Sequence, residues 1–166
     1  LAGGLSYKWN RTEYYKILDD LLGGDYYVNI DQFAERDYAS SVTMYQNDLD
    51  YYLKNGKAQT LKQGDKYGYD YYANVRRAEA WVSGRFSKFG LDVALAGRIG
   101  YTKYWREGLL RKGLFPGLDA NGQPMTYEGK VITTYDPITG DAITSLGKSE
   151  VKDFLTGAAK LNVSYV

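Results

Sequence analysis

The chain has 166 residues with 21 basic and 20 acidic side chains, no cysteine and no histidine, and it carries 18 tyrosines and 19 glycines against 3 prolines. The near balance of charge gives no strong field to attract nucleic acid, and the missing Cys and His exclude disulfides, thiol or imidazole nucleophiles and nearly every zinc site. No run of about 18 apolar residues predicts a transmembrane helix. Leu1 to Gly4 include no starting Met and no signal peptide, so we expect a section of a longer protein.

Alternation of apolar and polar residues with period two predicts four strands, near 1–9, 70–87, 90–105 and 151–166. Each alternation is cleanest over roughly 8–11 residues, which is the length that a tilted strand needs to cross a bilayer. In a soluble sandwich the apolar faces would point inward, whereas in a membrane barrel they would meet lipid and the polar faces would line the lumen. The alternation alone is compatible with the soluble sandwich and with the membrane barrel.

The connections between these strands differ in length. Ser87–Gly90 forms a tight turn, whereas long loops span 10–70 and 106–150. An antiparallel meander puts both long loops at one end, as in membrane barrels, and a compact soluble domain seldom carries two such insertions. The expected fold class is therefore all-β: an antiparallel meander that forms part of a transmembrane β-barrel, with long extracellular loops containing short helices and hairpins.

The first long loop carries two helix signals. Asn10 and Glu13 resemble a capping box and predict a helix that ends at Gly23-Gly24. Apolar residues at helical spacing from Met44 to Leu53 predict a second helix that ends at Asn55-Gly56.

The second long loop carries two turn signals. Asn121-Gly122 predicts a hairpin, and 136–141 predicts a turn between 131–135 and 142–145. Asp119 to Gly122 faintly resembles a calcium loop, but it lacks the succession of oxygen ligands that such a loop needs.

The strand faces supply the candidate functional residues. The side chains expected to face lipid are Leu5, Ala80, Val82, Phe86, Leu91, Val93, Leu95, Ile99, Leu155, Leu161 and Val163. The aromatic residues near strand ends, expected to form the interface girdles, are Tyr7, Trp9, Tyr101, Trp105 and Tyr165. The polar faces, expected to line the lumen, hold Lys8, Glu79, Arg85, Arg98, Lys160 and Asn162.

The sequence offers little catalytic chemistry. A glycosidase uses two carboxylates, and the acids that lie one or two positions apart are Asp19 with Asp20, Glu35 with Asp37, and Asp48 with Asp50. These acids lie in amphipathic stretches beside Lys and Arg, which favours surface charge. No glycine motif cradles a phosphate. We therefore expect no enzyme, no catalytic or metal site and no cofactor.

Paired tyrosines lie in or beside the first long loop, where a receptor would meet its ligand. The pairs are Tyr14-Tyr15, Tyr26-Tyr27, Tyr51-Tyr52 and Tyr71-Tyr72. Their rings could stack on sugars or flat chelates, but we expect one ring of each pair to pack against the loop helices or strand ends. The ligand-contact residues thus stay unassigned.

Four segments of the chain carry a resemblance to a known family, namely Leu21–Val28, Gln32–Arg36, Gly64–Asp70 and Tyr104–Pro116. They resemble barrel and loop segments of the TonB-dependent receptors of gut-type Gram-negative bacteria. The resemblance covers most of the chain, most weakly between about 117 and 150.

This resemblance implies the outer membrane, a closed barrel of about 22 strands, an N-terminal plug, and import of a nutrient ligand driven through TonB. Nothing in the chain resembles the plug or the segment that contacts TonB, so residues 1–166 are expected to be a fragment of one barrel domain. The alternative is a soluble β-rich module that binds carbohydrate or another ligand.

Overall fold

In the computed structural model, which describes residues 1–165, the chain is mostly antiparallel β-sheet, with 54% of residues in strands and 8% in helices. The all-β prediction is confirmed. The chain divides into two compact units: unit 1 comprises Leu1–Thr12, Ala73–Trp105 and the residues from Glu150, and unit 2 comprises Glu13–Tyr72 and Arg106–Ser149.

Four long strands dominate the element order. In chain order the elements are β1 (Ala2–Ile17), β2 (Tyr27–Val28), α1 (Gln32–Asp37), α2 (Leu49–Asn55), β3 (Thr60–Leu61), β4 (Lys66–Lys88), β5 (Leu91–Gly108), β6 (Thr126–Tyr127), β7 (Lys130–Val131), β8 (Gly147–Lys148) and β9 (Lys152–Tyr165). The main sheet has the order β1-β4-β5, and β5 then pairs with both β8 and β9. The sheet is open, because β1 and β9 form edges that no other strand within residues 1–165 joins.

A tight turn joins β4 to β5, as the sequence predicted. Phe89 and Gly90 both have left-handed backbones, with φ of 53° and 77°. This is the turn geometry that matches the twist of paired strands, and Gly adopts it without strain. The turn sets β4 and β5 antiparallel, and β9 pairs with β5 from Leu91 opposite Tyr165 to Tyr104 opposite Lys152.

The helix predicted from Asn10 is wrong, because β1 continues to Ile17. Glu13 does not complete a capping box; it forms an ion pair with Lys66 at 2.5 Å. Tyr14 stacks on Tyr71 with ring centroids 5.4 Å apart. These contacts with a neighbouring strand outweigh the helical spacing of the apolar residues.

Three of the four long strands, namely β1, β4 and β5, extend into the predicted loops beyond their predicted ends. The connections are therefore shorter and comprise residues 18–65 between β1 and β4 and residues 109–151 between β5 and β9. Both contain short elements of their own. No helix in the described residues is both long and apolar enough to span a membrane.

The second predicted helix exists but is shorter than expected. Helix α2 begins at Leu49 because the Asp48 side chain accepts a hydrogen bond from the Tyr51 amide, and it ends at Gly56, whose φ is 67°. Helix α1, which the sequence analysis did not predict, begins after Asp31, whose carboxylate accepts from the amides of Phe33 and Ala34.

The second long connection has the predicted turn and a further hairpin. The Asp136 amide donates to the Asp141 carbonyl, and Tyr135 bridges to Ala142. Residues 118 and 124 bridge across the predicted Asn121-Gly122 turn. The β6–β7 hairpin was not predicted from the sequence, and it turns at Glu128 and Gly129 with φ of 48° and 75°.

The two long connections pack against each other within unit 2. The Leu49 amide donates to the Arg111 carbonyl, and the Gly113 amide donates to the Gln46 carbonyl. A Cβ at Gly113 would lie 1.7 Å from the Thr43 carbonyl oxygen, so only glycine permits this approach. The buried hydrophobic residues of the described chain, namely Leu18, Ala34, Leu49 and Leu61, all belong to unit 2.

Candidate functional site: the aliphatic face of the sheet

Strands β5 and β9 place their aliphatic side chains on one common side of the sheet. Residues directly opposite each other in antiparallel strands point to the same side. The pairs on this side are Leu91 with Tyr165, Val93 with Val163, Leu95 with Leu161, Gly97 with Ala159, Ile99 with Gly157 and Tyr101 with Leu155. We call the surface formed by these pairs and by their neighbours in β4 and β1 the aliphatic face.

The aliphatic face continues across β4 into β1. One shallow groove on this side is lined by residues that include Val82, Phe86, Val93, Leu95 and Ala159. A Cβ at Gly3 in β1 would lie 4.0 Å from the Val82 Cγ2 atom. Strand alternation then puts Leu5 and Ala80 on the same side as Gly3 and Val82.

The eleven side chains that the sequence assigned to lipid therefore share one face, and none of them is buried. Leu5 is 87% exposed, Leu95 59% and Leu161 62%. Every residue of β9 is exposed along its whole length, on both sides of the strand. No layer of the described residues covers this face, so the sheet in unit 1 has no core of its own.

Aromatic side chains lie where the aliphatic side chains of this face end. Trp9 in β1 is 65% exposed, and the Arg76 guanidinium lies between its ring and that of Trp105, at 5.8 Å and 5.2 Å from the ring centroids. The Tyr101 hydroxyl donates to Asp153, which lies just beyond the last aliphatic pair. Tyr7 is also exposed, and Tyr165 lies at the other end of the face, next to the β4–β5 turn.

The opposite face of the same sheet is polar. A groove on it is lined by residues that include Ser83, Arg85, Ala94, Lys160 and Asn162. Arg98 lines a second groove with Trp81 and Lys160. Trp81 belongs to this polar face, since a Cβ at Gly4 would lie 2.8 Å from its Nε1 atom.

Two ion pairs lie on the polar face. Glu79 accepts a hydrogen bond from Arg77 at 2.5 Å, and Arg85 forms an ion pair with Asp92 across the β4–β5 turn. The predicted separation of aliphatic and polar residues is therefore present on all four long strands.

The paired tyrosines of unit 2 mostly contact other rings. Ring contacts join Tyr14 with Tyr71, Tyr27 with Tyr67, and Tyr52 with Tyr127. The expectation that one ring of each pair packs against the loop helices or strand ends is confirmed, because each of the four pairs contributes a member to these contacts. Lys66 also lies 4.3 Å above the Tyr15 ring.

Unit 2 contains a polar cavity of about 220 Å³ that the sequence did not reveal. Tyr67 and Tyr69 line it, and Lys16 Nζ lies 5.6 Å and 5.2 Å from their ring centroids. Lys112 and Asp31 form an ion pair of 3.5 Å at its wall. The signal in the sequence was the spacing of Tyr67 and Tyr69, which puts both rings on one side of β4.

Three of these paired acids form a helix cap or ion pairs in unit 2. Asp48 begins α2, Asp50 pairs with Arg111 at 2.9 Å, and Asp37 pairs with Arg36 at 2.7 Å. Arg36 holds the pKa of Asp37 below its usual range, first through the side-chain hydrogen bond. Within residues 1–165, no three Asp, Glu, His or Cys side chains are grouped so that they could hold a metal ion.

The aliphatic face, which all four long strands form, is therefore the candidate functional surface. Comparison of the chain with models of protein families, with curated proteins and with solved structures finds no match.

Proposed function

We propose that this chain forms a section of the wall of a transmembrane β-barrel in the outer membrane of a Gram-negative bacterium. The observation that carries the proposal is the exposure of β9 on both sides, together with its pairing to β5, which makes one side aliphatic and the other polar. Exposed aliphatic patches of this extent are rare on soluble monomers. Lipid on one side and a water-filled lumen on the other give each side chain a suitable solvent.

The length of the aliphatic face fits a bilayer. From Leu91 to Tyr101 the strand makes about ten steps of roughly 3.4 Å each, or about 34 Å. A tilt of about 40° reduces that length to a height of roughly 26 Å, and the apolar band around membrane barrels is about 25 Å tall. The Lys103 and Asp153 pair, the next on this side, falls outside the band.

The open edges of the sheet also support a barrel wall. Long strands with unpaired edges and exposed apolar faces promote aggregation in water. Barrels remove such edges by adding strands until the sheet closes. In this proposal further strands flank β1 and β9.

The sandwich alternative requires a second layer over the aliphatic face, and the described residues provide none. The separate polar cavity of unit 2 is compatible with either class of protein. The exposed face therefore favours the barrel over the soluble binding module.

The resemblance to TonB-dependent receptors narrows the proposal to a transporter. In that class a nutrient ligand enters from outside, and energy comes from TonB through other parts of the receptor. Unit 2, which contains both long connections, would then supply extracellular loops.

The three tryptophans allow a direct test. Chains that keep only Trp9, only Trp105 or only Trp81, with Phe at the other two positions, would be reconstituted into vesicles of lipids with brominated acyl chains, which quench tryptophan fluorescence on contact. Trp9 and Trp105 belong to the aliphatic face and Trp81 to the polar face, so we expect strong quenching of the first two and weak quenching of the third. Equal quenching of all three, or a cooperative melt of monomeric chain in plain buffer, would contradict the proposal.

A further inference from the structure

Arg76 occupies an unusual position between two tryptophans. Its guanidinium lies 5.8 Å from the Trp9 ring centroid and 5.2 Å from that of Trp105, so residues of three adjacent strands meet there. A planar guanidinium stacks well on aromatic faces, and such stacking holds its edge in a fixed direction.

No carboxylate among the described residues forms an ion pair with Arg76, although Arg77 on the opposite face pairs with Glu79. Arg76 is half-buried, and its Nε atom is buried without a hydrogen-bond partner. Partial burial removes water from a cation, which makes the missing anion costly.

Arg76 belongs to the side of β4 that also carries Ala80 and Val82, because all three positions are even. It lies beyond these aliphatic residues, at the level of the two tryptophans. Tryptophan prefers the depth at which a bilayer changes from acyl chains to headgroups. A cation at that depth faces the layer in which lipid phosphates lie.

We propose that Arg76, held between Trp9 and Trp105, binds the phosphate of an anionic membrane lipid. The inference rests on the proposed function, because only a membrane-embedded face brings these residues to lipid. The two rings flank the guanidinium at 5.8 Å and 5.2 Å, and its free N–H groups can donate two parallel hydrogen bonds to phosphate oxygens. The adjacent aliphatic surface accommodates the acyl chains, which free phosphate lacks.

The experiment compares lipid retention by four forms of the full chain. Wild type, Arg76→Gln, Arg76→Lys and Arg98→Gln would be reconstituted into mixed vesicles of phosphatidylcholine and phosphatidic acid, and retained lipids would be counted by native mass spectrometry. We expect Arg76→Gln to lower the preference for phosphatidic acid by about fivefold or more. Arg76→Lys keeps the charge without the planar fork and should retain part of the preference, and Arg98→Gln, on the polar face, should retain all of it.

A second variant guards against misfolding of Arg76→Gln. Trp9→Leu leaves the cation in place and removes one ring, and it should give a preference between those of wild type and Arg76→Gln. Equal preference in wild type and Arg76→Gln, or an equal loss in Arg98→Gln, would overturn the inference. Displacement of the lipid by inorganic phosphate at an equal concentration would also overturn it, because the site would then recognise phosphate without lipid.

Failure of this inference is distinguishable from failure of the proposed function. Brominated vesicles report on Trp9 and Trp105 in the same preparations. Quenched tryptophans with no effect of Arg76→Gln would overturn only the lipid-phosphate site. Unquenched tryptophans would overturn both proposals.

Discussion

The two units of the chain differ in whether their apolar side chains are buried or exposed. Unit 2 buries Leu18, Ala34, Leu49 and Leu61, whereas no hydrophobic residue in the described part of unit 1 is buried. Unit 1 exposes instead a continuous aliphatic face, with Leu161 at 62%. The two units therefore differ in where they place their apolar residues.

Polar groups show the same contrast. In unit 2, buried side chains satisfy the backbone of the long connections: Thr133 donates to the Gly117 carbonyl, and Ser145 accepts from the Lys112 amide. In unit 1 the long strands satisfy most of their backbone groups by pairing with one another. Unit 2 therefore folds around buried polar and apolar side chains, while unit 1 depends mainly on pairing between strands.

Truncation of the core of unit 2 should have the largest effect. Leu49 is 0% exposed, and Leu49→Ala should lower the free energy of opening of unit 2 by about 2–5 kcal/mol, because it removes buried contacts and leaves a cavity. Hydrogen exchange of the α2 amides measures this loss. Leu22→Ala is the matched control, since Leu22 is 91% exposed and should change the value by less than about 0.5 kcal/mol. An equal effect of both substitutions would remove the distinction between core and surface in unit 2.

Charge on the aliphatic face should have the next largest effect. Leu95→Arg should destabilise the chain in a bilayer by about 2–4 kcal/mol, because it puts a cation at the depth of the acyl chains. Arg98→Leu, three residues away on the polar face, should cost much less. Urea titration of vesicle-reconstituted protein measures both, and equal tolerance of the two substitutions would contradict the assignment of the faces.

Loss of the α2 cap should have a smaller effect confined to unit 2. Asp48→Ala removes the acceptor of the Tyr51 amide and should cost about 1 kcal/mol, again measured by hydrogen exchange of the helix. Asp48→Asn keeps an acceptor and should restore most of this stability. If the Asn variant is as unstable as the Ala variant, the hydrogen bond is not what begins the helix.

Ionisation of Tyr127 should have the smallest effect on the stability of unit 2. Its hydroxyl lies 3.3 Å from that of Tyr52, and this hydrogen bond is the main reason that the pKa of Tyr127 is raised to about 12. A raised pKa means that the bond stabilises unit 2 at pH values below about 10 and that this contribution is lost as pH rises towards 12. Ultraviolet titration should show the shift, and Tyr52→Phe should lower the pKa of Tyr127. An unchanged pKa in Tyr52→Phe would exclude the hydrogen bond as its cause.

The alternating pattern predicted the strands and their faces because period two is a local property of the chain. The Phe89-Gly90 turn and the end of α2 at Gly56 were predictable for the same reason, since left-handed backbone favours particular residues. These features require no knowledge of distant contacts.

Contacts between distant segments explain what the sequence analysis missed. Residues 10–17 have helical spacing, yet they extend β1 because Glu13 and Tyr14 find partners in β4. The position of Arg76 was also missed, although its even number puts it on the side of Ala80. Only the registers of three strands reveal that two tryptophans flank it.

The central claim is that the aliphatic face contacts lipid, and a spin-label scan from Leu91 to Tyr101 in vesicles tests it most directly. The chain has no cysteine, so each introduced Cys carries the only label. We expect odd positions to be accessible to oxygen, which concentrates in the bilayer, and even positions to be accessible to a water-soluble nickel complex, with a period of two residues. Nickel access at odd positions as high as at even positions would contradict the claim.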